Sequence, residues 1–189
     1  MSSEQRKTLV VNLYGGPGTG KSTTAAGAFS LLKRQGVSVE LVTEYAKDLV
    51  WEGSLELLNS NQIHVFAEQH RRMVRLQGKV DVIITDSPLL LTLFYGRTNV
   101  SELFKQVVEQ ENDRFWNRDI FLRRRKPYQQ AGRTQTEDEA RLIDDWLYQM
   151  LIRRGPYYTF DADDDAAQCV AKVVNLCLSL PIEQQQITG

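Results

Sequence analysis

Residues 9–29 read "LVVNLYGGPGTGKSTTAAGAF", an apolar run that passes through a glycine-rich turn into a helical pattern. Within it, "GGPGTGKS" (15–22) fills the G-x-x-x-x-G-K-[ST] spacing in full. Each residue type there has a physical task. Glycines let backbone N–H groups converge on phosphate oxygens with no Cβ in the way. The Lys21 ammonium can reach β- and γ-phosphates, and the Ser22 hydroxyl can ligate Mg²⁺. The helix that follows directs its positive end at the same anion. The expected nucleotide-binding residues are Gly15, Gly16, Pro17, Gly18, Thr19, Gly20, Lys21, Ser22 and Thr23, with ATP and Mg²⁺ as the ligands.

Outward from this loop, short apolar runs alternate with helical patterns, the mark of a parallel sheet covered on both faces. "TLVVNLY" (8–14) reads as a buried strand, with a helix over 21–35 that Gly36 stops. "VSVELV" (37–42) is the second strand, a long helical region covers 54–77, and "VDVIITD" (80–86) is an almost wholly apolar third strand. A helix over 100–113 precedes a fourth strand at 119–125. The helix over 136–154 opens with a capping box, Thr136 with Glu139, and lines Ala140, Ile143, Leu147 and Leu151 along one face. A fifth strand at 157–162 and a last helix at 163–180 complete the pattern. The expected fold is α/β: a three-layer P-loop NTPase fold with a doubly wound five-stranded parallel sheet and ligands at the carboxyl ends of its strands. One domain over 1–189 is expected, with an arginine-rich lid near 123–136 and a frayed tail at 183–189.

Two acids fall at such carboxyl ends. Asp86 closes "VIITDSP", where an acid can stand beside the nucleotide's Mg²⁺ with Ser22, or accept a proton from an acceptor hydroxyl. Its bland alternative is a turn cap before Ser87-Pro88. Glu44 opens "TEYAKDL" after the second strand, where a carboxylate can hold or deprotonate a hydroxyl; the alternative is a first-turn acid favoured by the helix dipole. "FLRRRKPYQQAGRTQTEDEA" (121–140) gathers cations that can close over a transferring phosphoryl group and exclude water. Arg125 and Arg133 are the expected site members, ahead of Arg123 and Arg124. Catalysis is thus assigned to Lys21, Asp86, Glu44, Arg125 and Arg133, and the metal to Ser22 and Asp86.

Other polar residues read as structural. His64 and His70 lack a cysteine partner, so no metal site is expected, and His70 shares a face with Ile63, Phe66 and Met73. Gln62, Gln69 and Arg72 form a polar stripe that reads as a solvated face, with acceptor contacts as the alternative. Phe115-Trp116 and Tyr157-Tyr158 read as core. Cys169 and Cys177 lie about 12 Å apart along one helix, beyond disulfide reach, and fit buried thiols in a reducing compartment. The polar start "MSSEQRKTL" has no signal-peptide core, and "PLLLTLF" is too short to span a bilayer, so a cytoplasmic location is expected. Hydrophobic residues at 42%, charged residues at 25% and a net charge of −1 speak against disorder and against strong nonspecific nucleic-acid binding.

The order "GGPGTGKST", "TEYAK", "VIITDSP" and "RRRKPYQQAGRTQTEDEA" resembles P-loop kinases of the thymidylate-kinase-like class, over about residues 8–175. Within that class it is similar to the branch containing nicotinamide-riboside kinase domains, and there to the bacteriophage 5-hydroxymethyluracil DNA kinases. That resemblance implies an acceptor hydroxymethyl group on a base in viral DNA, modified in the host cytoplasm. Two departures stand out. Thymidylate kinases follow the third strand with Asp-Arg, whereas Asp86 is followed by Ser-Pro, which disfavours dTMP. Nicotinamide-riboside kinase domains often carry an acid before the lid Gly-x-Arg, where this chain has Ala131-Gly132-Arg133.

Three activities are compatible with these residues. The leading one is a kinase whose acceptor is a nucleoside-like alcohol, in modified DNA or as a small molecule. A nucleotide-hydrolysing switch or motor would need an arginine in trans and an acid to activate water. A regulatory module would bind ATP without turning it over.

Overall fold

The computed structural model describes residues 7–125, 127–129 and 135–180. Five strands form one sheet: β1 (Leu9–Tyr14), β2 (Val39–Val42), β3 (Val82–Thr85), β4 (Trp116–Arg123) and β5 (Tyr158–Asp161). They lie in the order β2-β3-β1-β4-β5, and every neighbouring pair is parallel. β1 is central and fully buried along its length, with Leu9 opposite Val82 on one side and Trp116 on the other.

Alternation along β1 separates the two faces. Leu9, Val11 and Leu13 pack with Ala25, Ala28 and Leu32 of α1 (Lys21–Arg34) and with Val170, Val174 and Cys177 of α8 (Ala166–Ser179). Val10 and Tyr14 face the other layer. There Phe66 and Met73 come from α4 (Gln62–Val74) and Leu91 from α5 (Leu91–Tyr95). Val108 comes from α6 (Glu102–Asp113), and Ile143 and Leu147 from α7 (Glu137–Arg154). This is an α/β three-layer arrangement with helices on both faces.

The helical region expected over 54–77 is instead two helices, α3 (Leu55–Ser60) and α4, preceded by α2 (Tyr45–Trp51). Asn61 makes the break. It leaves helical geometry at φ −130° and ψ 69°, and its side chain accepts from His64 N–H as the cap of α4. Gly53, at φ +73°, follows α2. β4 begins at Trp116, earlier than the expected 119, which buries Phe115 and Trp116. The capping box is present: Thr136 accepts from Glu139 N–H, and Glu139 accepts from Thr136 N–H at 2.7 Å. Cys169 is half-buried, Cys177 is buried, and both are free. The expected tail at 183–189 lies outside the described residues, as do Lys126 and residues 130–134 of the expected lid. Among the described residues no helix is long and apolar enough to cross a membrane.

Candidate functional site

The carboxyl end of β1 runs straight into the glycine loop, and α1 starts at Lys21. Gly18 and Gly20 have φ of +77° and +110°, a region that side chains disfavour. Gly16 is held for a different reason. A Cβ there would stand 2.5 Å from the Ala140 carbonyl of α7, so the loop is pressed against that helix. α1 begins with neither an acid in its own first turn nor a side-chain cap, so its first N–H groups point into the loop.

Lys21 Nζ donates to the carbonyls of Gly15 at 2.6 Å and Gly16 at 3.1 Å. Burial lowers its pKa, partly countered by the charges of Glu44, Asp86 and Asp144. Asp86 stands one residue beyond β3, 5% exposed. Its Oδ2 accepts from the Ser22 hydroxyl at 2.5 Å, while its buried Oδ1 has no partner among the described residues. A hydroxyl and a carboxylate with an unused buried oxygen make the hard-oxygen donor set that Mg²⁺ takes alongside water and phosphate. Among the described residues no cluster of three or more His, Cys, Asp or Glu forms a closed metal cage. The residues present therefore fit a triphosphate on the loop with Mg²⁺ beside Ser22 and Asp86.

Glu44 occupies the N-cap position of α2, yet its side chain makes no capping bond. Burial raises its pKa above the ordinary glutamate value, and the nearby Lys21 charge is the largest opposing influence. Tyr95 joins the same cluster: burial raises its pKa, reinforced by the charges of Glu44 and Asp144.

Two residues that sequence reasoning ranked low or missed grip the loop. Asp144 Oδ1 accepts from Gly16 N–H at 2.5 Å, and its Oδ2 accepts from Arg124 Nε at 3.0 Å and Nη2 at 2.8 Å. Arg124 Nη2 also donates to Thr19 Oγ1 at 3.2 Å, and its side chain is 7% exposed. The signal for Asp144 was present. It lies four residues after Ala140 and three before Leu147, on the buried stripe of α7, where an acid demands a partner. Arg125 instead donates to Asp161 at 2.6 Å and is more than half exposed, and Arg123 pairs with the same carboxylate. Arg133 lies outside the described residues.

The polar stripe of α4 is not a solvated face. Gln62 and Gln69 are 7% and 4% exposed. Gln69 Oε1 accepts from Tyr45 N–H at 3.0 Å, and its Nε2 reaches Thr85 Oγ1 at 3.5 Å. Arg72 bonds Asp48 at 2.5 Å and lies over the Tyr45 ring. With Arg71, Arg75 and Thr43 it lines a groove of about 200 Å³ beyond the end of β2. His70 is half-buried, stacked on Phe66 and 3.1 Å from Glu111.

A family model described as AAA domain matches residues 10–168. No curated protein matches the chain.

Proposed function

The chain belongs to the AAA domain family, and from that premise we propose that it is an ATP-dependent kinase with an alcohol acceptor. The observation that carries this reading is the division of labour between two acids. Asp86 is engaged with Ser22, the pairing suited to a metal, whereas Glu44 makes no capping bond, and the Lys21 charge is the largest influence opposing the effect of its burial. A second carboxylate, raised by burial and free of the metal pair, is what a proton-accepting base for a hydroxyl requires.

ATP with Mg²⁺ supplies the phosphoryl group. Lys21 and the loop N–H groups hold the phosphates, and Ser22 and Asp86 would hold the metal. Glu44 takes the hydroxyl proton as the acceptor oxygen bonds to the γ-phosphorus and the bond to ADP breaks. Asp144 and Arg124 brace the loop, and lid cations cover the developing charge, Arg133 among them and Arg125 on release from Asp161. The acceptor we favour is the 5-hydroxymethyl group of 5-hydroxymethyluracil in DNA. A phosphate in the groove of Arg71, Arg72 and Arg75 would compete with Glu68 for Arg71 and with Asp48 for Arg72.

The test is an acceptor panel with γ-labelled ATP: hydroxymethyluracil DNA, thymidine DNA, free nucleosides including nicotinamide riboside, and dTMP. Label on hydroxymethyluracil DNA alone is the expected result; label on a small molecule alone overturns the DNA acceptor. A second reading, hydrolysis with water as acceptor, is favoured by the description of the matched family as an AAA domain. ATP turnover that no acceptor accelerates would mark it.

A further inference from the structure

We propose that Gln69, buried in α4, is a positioning residue: it ties the start of α2 to the end of β3 and thereby fixes the placement of Glu44 relative to Asp86. This rests on the kinase reading for its catalytic consequence. The geometry itself stands apart from it.

A helix begins with N–H groups that need acceptors, and a short polar side chain at the N-cap position commonly supplies one. Glu44 stands at that position in extended geometry, φ −66° and ψ 117°, and supplies none. The first N–H of α2, on Tyr45, is taken by Gln69 Oε1 at 3.0 Å, from a helix that starts 17 residues later in the chain. A glutamine that is 4% exposed costs desolvation unless its amide is used. Its other end reaches Thr85 Oγ1, the same oxygen that accepts from Ser87 N–H at 3.1 Å. One amide thus touches the residue after Glu44 and the residue before Asp86. It sets the spacing between the ends of β2 and β3, and hence between the two acids.

Charged and titratable groups around Glu44 come from each neighbouring element: Lys21 of α1, Asp86 after β3, Lys47 and Asp48 of α2, and Tyr95 of α5. Without that tie the start of α2 is free to shift from the end of β3, which carries the Glu44 carboxyl out of the burial that raises its pKa.

The experiment compares wild type with Gln69→Met, which keeps volume and loses both bonds, and Gln69→Glu, which keeps an acceptor for Tyr45 N–H. Two readouts are taken: kcat against pH in the labelled-ATP assay, and the Glu44 carboxyl titration by carbon NMR. In Gln69→Met, kcat is expected to fall roughly 100-fold with KM for ATP little changed, and the Glu44 titration to move to lower pH. Gln69→Glu is expected to recover most of the rate. A Glu44 titration unmoved in a folded Gln69→Met variant overturns the proposal. Should that variant not fold, a Gln69→Glu variant with the rate loss of Glu44→Gln overturns it instead. Because the titration needs no turnover, it tests Gln69 even if wild type transfers phosphate to nothing in the panel.

Discussion

Lys21 shows how much one side chain is asked to do. Its ammonium is partly buried, its charge is disfavoured by that burial, and its bonds are to two loop carbonyls. Phosphate oxygens are stronger acceptors for it than carbonyls, since both partners are then charged. Lys21→Ala is therefore expected to cut transfer at least 100-fold in single-turnover assays with the thermal melt unchanged. Wild-type rates in that variant would remove Lys21 from the donor site. Its role is legible because the motif is local: eight consecutive residues carry the whole pattern. Glu44 was less legible, since a glutamate at the start of a helix ordinarily serves the helix. Only the absence of a capping bond from its side chain, with Gln69 on the adjacent Tyr45 N–H, distinguishes the two uses.

At the scale of elements, α7 and the glycine loop form one unit. Asp144 reaches Gly16 across 128 residues of sequence and Arg124 across 20. Asp144→Ala would leave the Arg124 guanidinium, 7% exposed, as a buried charge without its carboxylate. That costs about 3 kcal/mol, read as a lower urea midpoint. Replacing both together, Asp144→Leu with Arg124→Met, should restore most of the loss while weakening ATP binding, because the apolar pair cannot hold Gly16 N–H. A double variant as unstable as the single one would show that the ion pair is not the source. β1, the loop and α1 were readable from apolar run, glycines and helical period in sequence. The break at Asn61 was not, because a cap and a mid-helix asparagine look alike until the chain turns. Nor was the choice among Arg123, Arg124 and Arg125: three adjacent cations differ only in which acid, Asp144 or Asp161, the fold brings to each.

Besides Glu44, a second described acid is at odds with its setting. Asp119 of β4 is pushed up to about 6 by burial, with the Asn12 amide bond opposing the shift. The folded chain therefore keeps a proton there that the unfolded chain releases near 3.8. Between those two values the native state binds more protons, so this group's contribution to stability falls as pH rises from about 4 to 6 and is level above. A shift of roughly two units corresponds to about 3 kcal/mol. Asp119→Asn is expected to be more stable than wild type at pH 7 and indistinguishable from it at pH 4, by urea unfolding at both. Equal differences at the two pH values would assign the effect to packing instead.

The position of β1 between two neighbours of very different sequence distance also governs biosynthesis. Leu9 meets Val82 on one side but must wait for Trp116 on the other. At ribosomal speeds of about 5–20 residues per second, that interval lasts several seconds. Through it, the most apolar ribbon of the nascent polypeptide stands with one flank open, a target for chaperones and for its own kind. Synonymous codons between the two partners thus become a means of setting how long that flank stays bare.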